Sequence, residues 1–124
     1  MSEQFLSESF EEFPGAVTLC DENGIIRYMN RKAADVFQAD GGGDLVGRNV
    51  LDCHPEPSRT KLETMLRIGE RNVYTIEKNG VHKLIYQAPW YRDGVFGGLV
   101  ELSLEIPAKM PHFVRGQPKA TTGD

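Results

Sequence analysis

The sequence predicts an α+β domain, in which an antiparallel sheet of about five strands is flanked by short helices. An amphipathic helix precedes it at the N-terminus. Three observations carry this prediction. Two β-rich hairpin units turn on short glycine-containing segments, Asp21-Glu-Asn-Gly24 and Asn79-Gly80. A further strand follows another such turn, Asp93-Gly94. The stretch between the two units has helical rather than alternating periodicity.

The first predicted element is a helix from Ser2 to Phe13. Ser2 can cap it, and Glu3 and Glu8 favour its N-terminal half. Phe5, Leu6, Phe10 and Phe13 form an apolar stripe that must dock on the domain or on a partner chain. Pro14-Gly15 ends the helix. Ala16 to Cys20 and Ile25 to Met29 read as two strands of a hairpin. Asn30 is placed to cap the next helix, whose inner face is Ala33, Ala34 and Phe37. Ala39 to Asp44, with its three consecutive glycines, reads as a flexible loop. Leu45 to Leu51 reads as a short helix or irregular turn.

His54-Pro55-Glu56-Pro57 is expected to be stiff and extended. Ser58 then caps a helix running to Ile68, with Leu62, Met65 and Leu66 on one face and Gly69 as its stop. Asn72 to Lys78, Val81 to Tyr91 and Leu99 to Ile106 are the last three strands. The tail from Pro107 is read as irregular, with Met110, His112, Phe113 and Val114 docking locally. The expected organisation is a helix over 1–13, a domain over 14–106 and a tail over 107–124.

Composition narrows the function. A chain of 124 residues is one domain by length and can bury a core without staples. A net charge of −4 with scattered Lys and Arg gives no footprint for nucleic acid. No apolar run approaches the ~18–20 residues that span a bilayer. The acidic start, Met1-Ser-Glu-Gln-Phe5, is not a secretory signal, so a cytoplasmic location is expected. In that compartment Cys20 and Cys53 are expected to be reduced thiols.

From about Pro14 to Ile106 the chain resembles the PAS domain, a small sensor fold. The matching residues are the Asp21…Gly24 turn, Tyr28-x-Asn30, Val46-Gly47-Arg48 before the central helices, and Pro89…Asp93-Gly94 leading into Gly98-Leu-Val100. Asp52-Cys-His-Pro55 and Ala88-Pro-Trp-Tyr91 look like small bacterial PAS proteins. The resemblance implies a curved sheet closed by helices around a pocket. That pocket holds haem, flavin or a small metabolite, or is filled by side chains. It also implies dimerisation through an N-terminal helix packed on the outer sheet face.

The last strand allows two registers. The simple one turns Val100, Leu102, Leu104 and Ile106 inward. The register suggested by flavin-binding members of the family instead puts Leu99, Glu101 and Ser103 in the pocket. Ile85, Gln87, Thr18 and Cys20 join them from the neighbouring strands. Leu84, Tyr86, Trp90, Val100, Leu102 and Leu104 then face out, and with Phe5 and Phe10 they become the candidate homodimer surface. We prefer this second register, because it gives both apolar surfaces a partner.

His54 is the sharpest single candidate, as an axial ligand if haem is bound. Cys53 could supply a thiolate and Met65 a thioether. In the light-sensing branch of the family a cysteine directly follows a Gly-x-Asn triplet. Here Gly47-Arg-Asn49 is followed by Val50, so a thiol–flavin adduct is not expected. The three histidines are far apart and lack metal-type spacing. No hydrolase elbow, zinc helix or phosphate loop is present, so no enzyme activity is expected. The reading is a signal-transduction module, probing small molecules or binding an unidentified signalling protein. The alternatives are a haem-based gas or redox sensor using His54, and a pure interaction adaptor with a closed core.

Overall fold

The computed structural model describes residues 3–116. Ser2, residues 117–124 and the side chain of Cys53 lie outside the described residues. The helices are α1 (Glu3–Glu11), α2 (Arg31–Val36) and α3 (Ser58–Ile68). The strands are β1 (Ala16–Asp21), β2 (Ile26–Met29), β3 (Asn72–Lys78), β4 (Val81–Arg92) and β5 (Val95–Ile106). They form one antiparallel sheet in the order β2-β1-β5-β4-β3. The N-terminal and C-terminal strands meet at its centre. The backbone of Gly47–Val50 covers the β2 edge through Ile26 N–H to Arg48 O (2.8 Å) and Val50 N–H to Gly24 O (2.7 Å). β3 forms the opposite edge.

Turn chemistry fixes the hairpins. Asn79 and Gly80 have φ of 54° and 80°, and Asp93 and Gly94 have 50° and 80°. Two consecutive left-handed residues match the right-handed twist of the strands they join. The last hairpin therefore pairs from its first residue, Arg92 with Val95. β5 starts there and not at Leu99 as the alternation suggested. A bulge between Trp90 and Tyr91 follows.

Asn30 joins three elements. It is fully buried. Its Oδ1 accepts from Ala33 N–H, capping α2, and from Val17 N–H on β1, both at 3.0 Å. Its Nδ2 donates to the carbonyls of Gly15 (2.8 Å) and Phe10 (2.9 Å). One side chain thus ties the end of α1 to the start of β1 and α2.

Two local expectations are corrected. The glycine segment is not a flexible loop but two 3-10 turns, Gln38–Asp40 and Gly42–Leu45. Gly41 and Gly42, at φ 123° and 55°, turn the chain back so that Leu45 enters the core at 1% exposure. Ser58 does not cap α3. It lies within the helix, and the preceding residue, Pro57, makes no side-chain cap bond. The Glu56 carboxylate instead accepts from Thr60 N–H (3.1 Å) and Thr60 Oγ1 (2.7 Å). Gly69 stops the helix in the left-handed region as expected. A further 3-10 turn, Val50–Cys53, precedes His54.

The core lies between the inner sheet face and the helices. Ile26, Ala33, Leu45, Leu62, Met65 and Leu99 are its centre. The described part of the tail, 107–116, does not dock: Met110, Phe113 and Val114 are 53%, 72% and 68% exposed. α1 buries no residue of its own. It is held at the outer side of the sheet by Tyr28 Oη donating to Ser7 O (3.3 Å) and by the Asn30–Phe10 bond. Its stripe of Phe5, Leu6, Phe10 and Phe13 remains 39–57% exposed.

Candidate functional site

Pairing across the sheet decides which side chains enter the interior. Thr18 stands opposite Glu101, Glu101 opposite Gln87, and Gln87 opposite Asn72. Strands pair side by side, so the four share one face and form a polar row across β1, β5, β4 and β3. Leu99 and Ser103 flank Glu101 on that face, opposite Cys20 and Ala16 on β1. The inner register is therefore the one suggested by the flavin-binding relatives.

Hydrogen bonds link Asn72, Gln87 and Glu101. Asn72 Nδ2 donates to Gln87 Oε1 at 2.9 Å, and Gln87 Nε2 donates to Glu101 Oε2 at 2.6 Å. His54 closes the chain from the other side, with Nε2 3.6 Å from the same carboxylate oxygen. Its Nδ1 lies 2.9 Å from the Val50 carbonyl. A carbonyl only accepts, so Nδ1 carries a proton. Nε2 faces the Glu101 carboxylate, and a proton there makes the two an ion pair. Burial pushes the Glu101 carboxyl up, but the His54 ring and the Gln87 amide outweigh it and hold the group below its usual value. Burial likewise pushes the Cys20 thiol up to about 11, so it packs as the un-ionised thiol while the interior stays closed. Burial, then the Glu101 charge, also raises the Tyr74 phenol.

A cavity of about 20 Å³ lies against this row, lined by Thr18, Cys20, Val50, Leu62, Gln87, Leu99, Val100 and Glu101. That is room for about one water molecule. Of the residues expected to line a pocket, Thr18, Cys20, Gln87, Leu99 and Glu101 meet there. Met65 is fully buried in the core away from the cavity, and Ile85 and Ser103 also lie outside its lining. His54 lies outside the lining and touches it through Glu101 and the Val50 carbonyl, and its ring packs 5.9 Å from that of Phe37.

Sequence reasoning missed four participants. Val50 and Leu62 were read only as a missing cysteine and a helix face, and Val100 was placed on the outer face. Asn72 could have been found. The Asn79-Gly80 turn pairs Lys78 with Val81, and counting back along both strands puts Asn72 opposite Gln87.

Haem does not fit this interior. A bound macrocycle needs a compartment on the order of several hundred Å³, and the His54 ring is held by Val50 and Glu101. Flavin fails the same volume test.

On the outer face, Leu84 stands opposite Leu104 and Tyr86 opposite Leu102, all partly buried. Trp90 turns onto its own sheet. Its Nε1 donates to Cys20 O at 3.0 Å, and its ring occupies the space above Gly97.

A family model described as the PAS fold matches residues 4–74, more than half of the chain. The chain belongs to the PAS-fold family. No curated protein matches it in sequence. Solved structures match over most of its length. A C-terminal domain from Streptococcus mutans is 21% identical, with a TM-score of 0.69 and 85% of each chain covered. The PAS domain of BvgS from Bordetella pertussis is 17% identical, with a TM-score of 0.60, covering 86% of this chain and 87% of that one. The Aer2 receptor of Vibrio cholerae, described as a dual PAS-haem oxygen sensor, is 18% identical, with a TM-score of 0.54, covering 75% and 95%. At these identities the likeness is one of fold. Among the described residues no helix is long and apolar enough to cross a membrane.

Proposed function

We propose that this domain is a small-molecule sensor that signals through a partner protein, by binding rather than by catalysis. The polar row of Thr18, Glu101, Gln87 and Asn72 carries this reading. Buried polar groups cost free energy even when bonded, and apolar residues of like volume stabilise a plain scaffold as well or better. A molecule that donates to Glu101 gives the row a use. Its binding would bias the sheet and α1 between two arrangements, which a partner reads.

The nearly filled cavity favours a second reading, an interaction adaptor with a closed core. Native mass spectrometry of the gently purified chain separates the two. A mass excess that Glu101→Ala abolishes supports the sensor. A bare mass that stays bare after incubation with cell extract moves the assignment to the adaptor. The haem described for the Aer2 receptor is not carried to this chain, because the interior lacks the volume.

We further propose that the chain is a homodimer. The support is the exposed stripe of α1 beside the apolar outer face of Leu84, Tyr86, Leu102 and Leu104.

A further inference from the structure

The polar row does not stop at the core. It runs from Glu101 to Asn72 on β3, the edge of the sheet. On the core side of Gln87 lies the 20 Å³ cavity. On its edge side lies a cleft of about 210 Å³ between the start of α3 and β3, lined by Pro57, Ser58, Lys61, Asn72, Tyr74 and Gln87. Gln87 is the one residue common to both linings. It is 3% exposed and held across the boundary by its bonds to Asn72 and Glu101.

We infer that the cleft is the mouth of the interior site and that the Gln87 side chain is its gate. Glutamine reaches its staggered rotamers by bond rotation alone, with no change in the backbone. Turned away from Asn72, it joins cleft and cavity into one compartment of metabolite size. Turning Gln87 away also removes its amide from Glu101 Oε2, and an oxygen that only accepts is then left for a ligand to bond. The ligand class is therefore a small molecule bearing an N–H or O–H donor. The ligand class rests on the sensor reading above. The gate does not.

Cys20 lines the inner cavity and not the cleft, so its thiol reports passage between them. The test uses the full chain carrying Cys53→Ser. It measures the rate at which methyl methanethiolsulfonate, a small neutral thiol reagent, modifies Cys20. Hydrogen exchange of the β5 amides, taken at a pH high enough for opening to limit exchange, gives the global unfolding rate for comparison. The expected result is modification at least ten-fold faster than unfolding allows. Gln87→Ala should accelerate it a further ten-fold. Ser58→Trp, which fills the cleft from the start of α3 and leaves the Asn72–Gln87 bond in place, should slow it to the unfolding-limited rate. Modification at the unfolding-limited rate in the Cys53→Ser chain overturns the gate, as does a rate that Ser58→Trp leaves unchanged. Should Gln87→Ala fail to fold, the Ser58→Trp arm decides. A bare native mass with gated modification would sink the sensor reading alone. A bound ligand with ungated modification would sink the gate alone.

Discussion

Glu101 is the residue on which the interior turns, and its charge can be followed through stability. Its carboxyl is held below the usual 4.5 by His54 and Gln87 acting against burial. A depressed folded value means that the unfolded chain takes up the proton first. The stabilisation is complete above about 4.5 and is lost as pH falls through the depressed folded value. Glu101→Gln should therefore cost on the order of 1–3 kcal/mol at neutral pH. It should also flatten the acid limb of urea-denaturation free energies taken between about pH 7 and about pH 3. Some slope remains, because Asp21 and Glu56 are also depressed. Asp21 is raised by burial but lowered more by the Ile25 and Asn23 amides and Arg27, and Glu56 is lowered by Thr60. An acid limb of unchanged steepness in Glu101→Gln would mean that the His54–Glu101 pair contributes nothing.

At the scale of elements, two positions are expected to dominate stability. Asn30 uses both lone pairs of its Oδ1 and both protons of its Nδ2. Asn30→Ala strands buried backbone groups on three elements and should cost on the order of 3 kcal/mol. Asn30→Asp keeps the acceptor for α2 but sets an oxygen against the Phe10 and Gly15 carbonyls. It should be no better than Asn30→Ala in the same denaturation assay; a mild Asn30→Asp would show that the cap alone matters. Gly98 has φ 147°, and a Cβ there would overlap the Cys20 carbonyl oxygen. Gly98→Ala should cost about 3 kcal/mol or more. Gly43, with nothing within 4 Å, should accept alanine with a change of no more than about 1 kcal/mol. Equal melting temperatures for the two variants would contradict this account. The Asn79-Gly80 and Asp93-Gly94 turns were legible because positive φ is a local demand. The Asn30 cap was legible because an acceptor for the Ala33 N–H three residues on is likewise a local demand, though its bonds to α1 and β1 were not. The turns around Leu45 and Val50 were hidden, because the core sets their course and three consecutive glycines allow almost any path.

For the whole molecule, the question is what covers the outer sheet face. Alternation along β5 misleads because its outward residues are the more apolar set; the register of the family's flavin-binding members pointed to the polar inner row, and cross-strand pairing places it there. This inversion is what a covered outer face requires. Within one chain α1 covers only one end of it. Phe13 and Leu104 crowd Gly15 there, while Leu6 stays 49% and Phe10 41% exposed. A second copy that packs α1 and the Leu84, Tyr86, Leu102 and Leu104 face against their equivalents buries the remainder. A stable interface of this kind needs roughly 1,200–2,000 Å² in total. Sedimentation equilibrium should therefore give twice the chain mass. Phe5→Ser with Leu6→Ser should return it to the monomer mass, with the fold unchanged to within about 0.5 kcal/mol, as exposed helix positions allow. Deleting residues 2–13 is the less clean test, since it also removes the Phe10 carbonyl from Asn30. A monomer mass for the unsubstituted chain would remove the dimer, and a different protein would then have to cover the outer face.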